Sequence, residues 1–526
     1  MWFSMNRLVK ALLLLNLEIF LLAPTCVPQQ VDRGVKSGDQ YWAETGLGSS
    51  ELEGLLDDRS CQGDQQGFLA CVNAISQMAE RYNLTLSQEG TLRKLTSEDI
   101  QNRSTEKKEL GTWAPKFQTL KTQISFLNLW KELDTRHIRP SERATIIATG
   151  INGFLSVIKD PHTYLMPLAM YEEVVAKSES RNSNAGFIAR RSQGELIVRK
   201  VWEGSPAERA GLRKGDHILA LNDELVSGMV TSRISDILRM RDLQRLTMSV
   251  QRKGEARDVE IVRSEATYPS VNAKLLEGER RIGLITIHKF SKDVCQITRN
   301  KLMILRDEKI SGVMLDLRDN PGGQVDEAAC VANLFLDKGT FLFETRYLDA
   351  SKPSDRYFAE ADKAYDGPLA ILINSGSASA SEIVAGTLRD YNRAKLVGER
   401  SFGKGSFQDG RIWAANAKIA LFETEGFYYF PSGWTPQLVG LQPDVQVNFN
   451  LADSFREEES FLNPLVPVDS WSGPQSLSWL TEKDCDLDQE PGNRTASFSI
   501  LSDDPQLQKA QALLTCGERN DRNGSL

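Results

Sequence analysis

Two short segments hold the residues with the most chemical potential: Ile371–Ser381, ILINSGSASAS, and Phe402–Gln408, FGKGSFQ. Ser379 and Lys404 lie 25 positions apart, each among small residues that let backbone approach a substrate closely. A serine hydroxyl is a weak nucleophile until a base removes its proton, and a lysine amine serves as that base when burial keeps it neutral. Moving a lysine from its reference pKa of ~10.4 to about 7 costs roughly 4–5 kcal/mol of differential solvation, which the fold must supply. Ile371, Leu372, Ile373 and Phe402 offer apolar surroundings for it. Peptide hydrolysis is the chemistry these residues suit.

Taken alone, each segment also has a plainer reading. A small-residue run with four serines reads as a flexible loop, and a GKG turn as a solvated hairpin. Gly398, Gly403 and Lys404 fit the phosphate-loop spacing GxxxxGK, but Gly405 stands where a Mg²⁺-binding Ser or Thr is needed. The four histidines, His137, His162, His217 and His288, are all distant from Ser379 in sequence, although the members of a His-based triad converge in space. A third segment, Asp316–Gly323, DLRDNPGG, follows the apolar β-type run Ser311–Leu317 and precedes Val325–Leu336, which reads as a helix. A glycine turn ahead of a helix exposes N–H groups suited to an oxyanion, and also serves as an ordinary strand-to-helix connection.

Together these segments resemble the C-terminal processing peptidases, serine/lysine proteases with an inserted PDZ domain. The resemblance is colinear over roughly 148–447 and includes DPHTYL at Asp160–Leu165 and PSGWTPQLVGLQPDV at Pro431–Val445. It implies a ClpP/crotonase-like α/β protease core with an inserted PDZ domain and a helical N-terminal region. It implies Ser379, the middle serine of Ser377–Glu382, as nucleophile, Lys404 as base, and Gln408 as the residue orienting the lysine. Ala380 and either Gly322 or Gly323 would form the oxyanion hole. His162 then reads as structural and His217 as part of the PDZ fold.

The phrase GSPAERAGLRKGDHILALND at Gly204–Asp223 resembles a PDZ domain, with Ala207–Ala210 a short helix. Such domains bind peptide C-termini by adding a strand to a sheet edge. Gly186, Phe187 and Ile188 stand where the carboxylate loop and the pocket for the last side chain belong, although the loop departs from the usual GLGF form. Arg241 resembles an arginine that links PDZ domain to protease core, and equally reads as a solvated helix-end cation.

Composition bounds the rest. The 526 residues are 40% apolar and 25% charged, enough for two to four domains. The net charge of −8, with no long basic run, disfavours nucleic acid as partner. Arg7 and Lys10 precede Ala11–Pro24, a short apolar stretch that fits a secretory signal better than a membrane span. Cys26 follows it, so a lipid anchor at Cys26 and a plain cleaved signal are the two readings. The other six cysteines suggest disulfides in an exported chain, with Cys61–Cys71, Cys295–Cys330 and Cys485–Cys516 the simplest pairing. Their spacing lacks a zinc signature, and no metal or cofactor is expected.

The expected organisation is a signal at 1–26, a polar linker at 27–60, a helical domain at 61–180, a PDZ domain at 184–264, the protease core at 270–450 and an acidic extension at 451–526. The whole reads as an envelope or periplasmic endopeptidase of a bacterium, acting on proteins with exposed C-termini, with an adaptor or a second copy of the chain as further partners. The competing reading is a catalytically silent PDZ scaffold that captures C-terminal tails.

Overall fold

The computed structural model describes residues 38–96, 99, 106–172, 185–192, 195–229, 234, 237–238, 245–262, 269–278, 280–448, 456, 463–467 and 504–516. The expected signal, Cys26, Arg241, Cys485 and most of the acidic extension lie outside them.

The first layer is helical. Gln65–Glu80 begins where the Asp64 carboxylate accepts the Gly67 N–H at 2.7 Å, and it packs along Arg143–Ile158. The two helices approach closely because a Cβ at Gly150 would fall 2.6 Å from Met78 Sδ, and Asn73 Nδ2 donates to Gly153 O at 2.8 Å across the contact. Phe68, Phe126 and Trp130 fill the core of this layer. The linker expected at 27–60 needs correction over its described part. Gly38–Thr45, Ser49–Leu55 and Asp58–Gln62 are helices, and Trp42, Leu52 and the capping residue Leu56 bury themselves in the same core. Few apolar residues suffice there because a neighbouring domain supplies the rest of the hydrophobic face.

The PDZ-like unit is an antiparallel sheet in the order Phe187–Ser192, Glu195–Val201, His217–Leu221, Arg245–Arg252, Glu255–Val262. Its core is built from Leu196, Val198, Ile218, Leu246 and Val250. The core domain has a six-stranded sheet ordered Val271–Leu276, Ile282–Ile287, Gly312–Asp316, Leu369–Ile373, Lys395–Gly398, Val445–Gln446. The first pair is antiparallel and the others parallel. The central strands, GVMLD and LAILI, are buried throughout, as continuous apolar runs covered on both faces should be. The face bearing Leu284, Met314 and Leu372 is covered by Pro505–Cys516, which seats Leu507, Ala510 and Leu514 on it. That part of the extension is therefore a helix docked on the core.

A second sheet orders Asp355–Phe358, Phe341–Tyr347, Asn416–Tyr429 and Ser406–Trp413, and Tyr164–Pro167 also pairs with Asn416–Tyr429. This long strand ties the end of the helical layer to the strand that follows Lys404. Disulfides join Cys61 to Cys71 and Cys295 to Cys330.

Candidate active site

Ser379 stands between the carboxyl end of the buried strand Leu369–Ile373 and the helix Ala380–Asp390. Its backbone adopts φ 57 and ψ −117, a conformation that L-residues rarely hold and that over-determined surroundings must impose. Those surroundings are visible. Ser377 Oγ donates to Leu317 O at 2.8 Å, Ser381 Oγ to Asn320 O at 3.0 Å, and the Ala378 N–H to Asn320 O at 3.0 Å. Ser375, Ser377 and Ser381 are buried, whereas Ser379 is partly exposed. Ser377 and Ser381 are thus structural anchors, and Ser379 is the serine of the run that retains exposure.

The DNPGG turn is the other side of this anchor. Asn320 Nδ2 donates to Ile287 O, and its Oδ1 accepts the Gly322 N–H at 2.9 Å. A Cβ on Gly322 (φ +99) would lie 2.8 Å from Ser379 Cβ and 3.0 Å from Ala380 N. On Gly323 (φ +148) it would run into Phe290 O at 2.0 Å. Both positions are closed to side chains, one by the serine loop and one by the backbone of Phe290, which bridges to Gly323.

Lys404 is held by its own set of contacts. Gln437 Oε1, from the PSGWTPQ segment, accepts the Gly405 and Ser406 N–H groups at 2.7 and 3.1 Å. A Cβ on Gly405 would meet Thr435 Oγ1 at 2.2 Å. Lys404 Nζ donates to Ser406 O and to Gln408 Oε1, both at 2.8 Å.

Glu382 joins the two loops. Its Oε2 accepts the N–H groups of Ser379 and Lys404, each at 2.9 Å, while its Oε1 accepts from the Gly403 N–H at 2.8 Å and from the Ser401 hydroxyl. Burial pushes this carboxyl up to about 7, with the four donors pulling the other way. Tyr428 adds a second tie, its hydroxyl 2.9 Å from Lys404 O and 3.3 Å from Ser379 O. In the sequence, Glu382 stands out as the last letter of the serine motif, and Tyr428 does not stand out at all. Glu382 stands three residues after Ser379 in a Ser-x-x-Glu capping-box spacing, whereas nothing local marks Tyr428, whose partners lie 24 and 49 positions away.

His162 lies in the turn where its N–H donates to Asp160 Oδ1, and His217 is an exposed PDZ residue whose Nδ1 sits 2.9 Å from Glu195 Oε2. Gly186 (φ +87) leads into the PDZ edge strand, and a Cβ there would meet Ser205 Cβ at 2.2 Å. Phe187 and Ile188 follow it, both half-buried, and Phe187 packs on the PDZ core.

A cavity of about 580 Å³ lies where the PDZ unit meets the carboxyl ends of the core strands, beside Asn374 and Ser375. Lys200 Nζ donates to Arg318 O at 2.9 Å there, and Arg318 pairs with Asp316 and Asp504, each at 2.8 Å. Burial opposes ionisation of Asp316, yet the Arg318 guanidinium holds its carboxyl down at about 2. Burial lowers the pKa of Lys200 and of Lys214.

Sequence comparison agrees with this architecture. Residues 281–447 match Peptidase family S41 and residues 179–262 match the PDZ domain. The chain is 30% identical over 347 residues to a carboxy-terminal-processing protease of Bartonella bacilliformis, covering 64% of this chain and 78% of that protein. It is 31% identical over 333 residues to a probable CtpA-like serine protease of Staphylococcus aureus (strain N315), covering 61% of this chain and 64% of the relative's length. Among solved structures, the photosystem II D1 C-terminal processing protease superposes with a TM-score of 0.44 at 24% identity, covering 66% of this chain and 95% of that one. The chain belongs to the carboxy-terminal-processing proteases of peptidase family S41, with a PDZ domain.

Proposed function

We propose that the chain is a serine endopeptidase that recognises protein C-termini through its PDZ unit and cleaves with Ser379 and Lys404. The observation that carries this reading is that one buried carboxylate, Glu382, accepts the N–H groups of both Ser379 and Lys404 and so brings the two loops together. An ammonium has three N–H donors and no lone pair, whereas a neutral amine has two donors and one lone pair. Ser406 O and Gln408 Oε1 accept from Lys404 Nζ, and in its neutral form this amine takes the Ser379 proton. Lys404 then returns that proton to the leaving amine.

Gln408 is the orienting partner of the lysine. For the oxyanion, the Gly322 N–H is already given to Asn320, which favours the Gly323 N–H as the partner of the Ala380 N–H at the start of the helix. On the recognition side, Phe187–Ser192 is an edge strand of its sheet among the described residues and follows the Ala185-Gly186 loop, a position suited to strand addition. Two disulfides suit an oxidising compartment outside the cytosol, in line with an envelope enzyme.

The test is digestion of an unfolded protein with a free C-terminal tail. Ser379→Ala and Lys404→Ala should each lower turnover by at least about a thousandfold while melting within a few degrees of wild type. His162→Ala and His217→Ala should keep most activity. A wild-type protein that does not cleave would leave the silent-scaffold reading in place, and a Ser379→Ala protein that still cleaves would assign hydrolysis to another group.

A further inference from the structure

The turn Asp160–Leu165 belongs to the end of the helical layer, far in sequence from the candidate site, yet its polar groups lead directly to Lys404. Asp160 is 4% exposed and Thr163 2%. Asp160 Oδ2 accepts from Thr163 Oγ1 at 2.5 Å, and Oδ1 accepts from the His162 N–H at 2.9 Å and from Thr424 Oγ1 at 2.8 Å. Thr424 Oγ1 in turn accepts from Gln408 Nε2 at 3.1 Å, and Gln408 Nε2 also donates to Ser406 Oγ at 3.2 Å. The far end of the same amide receives Lys404 Nζ.

Only one polarity satisfies this chain. A carboxylate accepts and does not donate, so the single hydroxyl proton of Thr424 goes to Asp160. Thr424 therefore turns a lone pair toward Gln408, and only the Nε2 end of the amide satisfies it. Reversing Gln408 would set its Oε1 against the Thr424 oxygen, two acceptors face to face in a buried setting. It would also bring an amide N–H to Lys404 Nζ, where that donor would compete for the amine lone pair. We propose that Thr424 and Asp160 are positioning residues that fix the orientation of the Gln408 amide and so keep the lone pair of Lys404 available to Ser379. This inference rests on the protease reading above and adds to it a role for the DPHTYL turn.

The test uses the full chain and an unfolded protein substrate with a free C-terminal tail. Thr424→Val removes the hydroxyl at nearly constant volume, and Thr424→Ser keeps it. Thr424→Val should lower kcat about tenfold, the worth of roughly one buried hydrogen bond, with KM within twofold. Thr424→Ser should stay within threefold of wild type. Labelling of Ser379 by a small organophosphonate, which does not depend on tail recognition, should slow in step with kcat. In a Gln408→Ala background, adding Thr424→Val should cause no further loss, because the hydroxyl acts through the amide.

Additive losses in the double variant, an equal loss in Thr424→Ser, or unchanged kcat in Thr424→Val would each overturn the proposal. Should Thr424→Val fold poorly, Thr163→Val tests the same chain from the far side of Asp160. There a kcat loss that persists in Gln408→Ala would overturn it. Ser379→Ala run in parallel separates the two readings: cleavage by that variant sinks the assignment of Ser379 as nucleophile, whereas a dead Ser379→Ala beside a fully active Thr424→Val sinks only the relay.

Discussion

One carboxylate, that of Glu382, holds the backbone on both sides of the candidate site, and its replacement by an amide has two separable effects. Glu382→Gln keeps the volume but leaves one acceptor oxygen for two sides, so an amide N–H faces either the Ser379 and Lys404 N–H groups or the Gly403 N–H. Turnover should fall at least about tenfold, read with the same tailed substrate. The second effect is on stability against pH. Because burial raises the folded pKa from 4.5 to about 7, the folded protein holds this proton more tightly than the unfolded one. The contribution is complete below the unfolded value and is lost as pH rises through the folded one. The melting temperature of wild type relative to Glu382→Gln should therefore decline between pH 4.5 and 7. Thermal melts across that window check it, and a difference that grows with pH would contradict the assignment of the raised pKa to Glu382.

At the scale of elements, the helix Pro505–Cys516 is the cover of one sheet face, and its cost of removal should follow its buried side chains. Leu514 is 7% exposed and lies against Gly312, where an added Cβ would meet its side chain at 3.3 Å. Leu514→Ala should lower stability by about 2–4 kcal/mol in urea denaturation, with little change in the KM of the remaining folded enzyme. This helix also marks a limit of the sequence reading. Its surroundings are acidic and weakly periodic, so the element shows itself only once the sheet that it covers is in place. The same holds for residues 38–60, whose apolar side chains are sparse until the helical layer completes their environment. The strand Gly312–Asp316 and the helix Val325–Asn333 were legible because continuous apolar runs and 3.6-residue periodicity are local signals. Ser379, Lys404 and Gln408 stood out through motif context. Asp160 and Thr424 did not as a pair, since 264 positions separate two residues joined by one hydrogen bond.

At the scale of the molecule, the PDZ unit meets the core through a few specific contacts. Lys200 Nζ reaches Arg318 O at 2.9 Å, Glu203 pairs with Lys274 at 2.7 Å, and Trp202 stacks edge-on to His288 with ring centroids 6.3 Å apart. Burial lowers the His288 pKa to about 3, with Lys200 adding to the shift, so His288 is neutral at physiological pH. Arg318 is two residues after Asp316 and on the path to the DNPGG turn, so the Lys200 contact touches the loop that backs the candidate oxyanion site. Lys200→Met keeps the apolar stem and removes the donor. It should raise hydrogen exchange in Glu195–Val201 and alter turnover of tailed substrates severalfold, while leaving organophosphonate labelling of Ser379 within twofold. Unchanged exchange and unchanged turnover would make this contact simple packing.

The backbone of Ser379 has a consequence that reaches beyond the reaction. At φ 57 and ψ −117 a glycine would sit without the steric penalty that the serine Cβ incurs, roughly 1–3 kcal/mol. Ser379→Gly should therefore be inactive and melt at or above the wild-type temperature, a comparison that calorimetry makes directly. In a screen that rewards durability alone, the winning residue at this position would be the one that abolishes hydrolysis. Shelf life and turnover pull this single site in opposite directions, so selection for stability must be run with an activity gate at position 379.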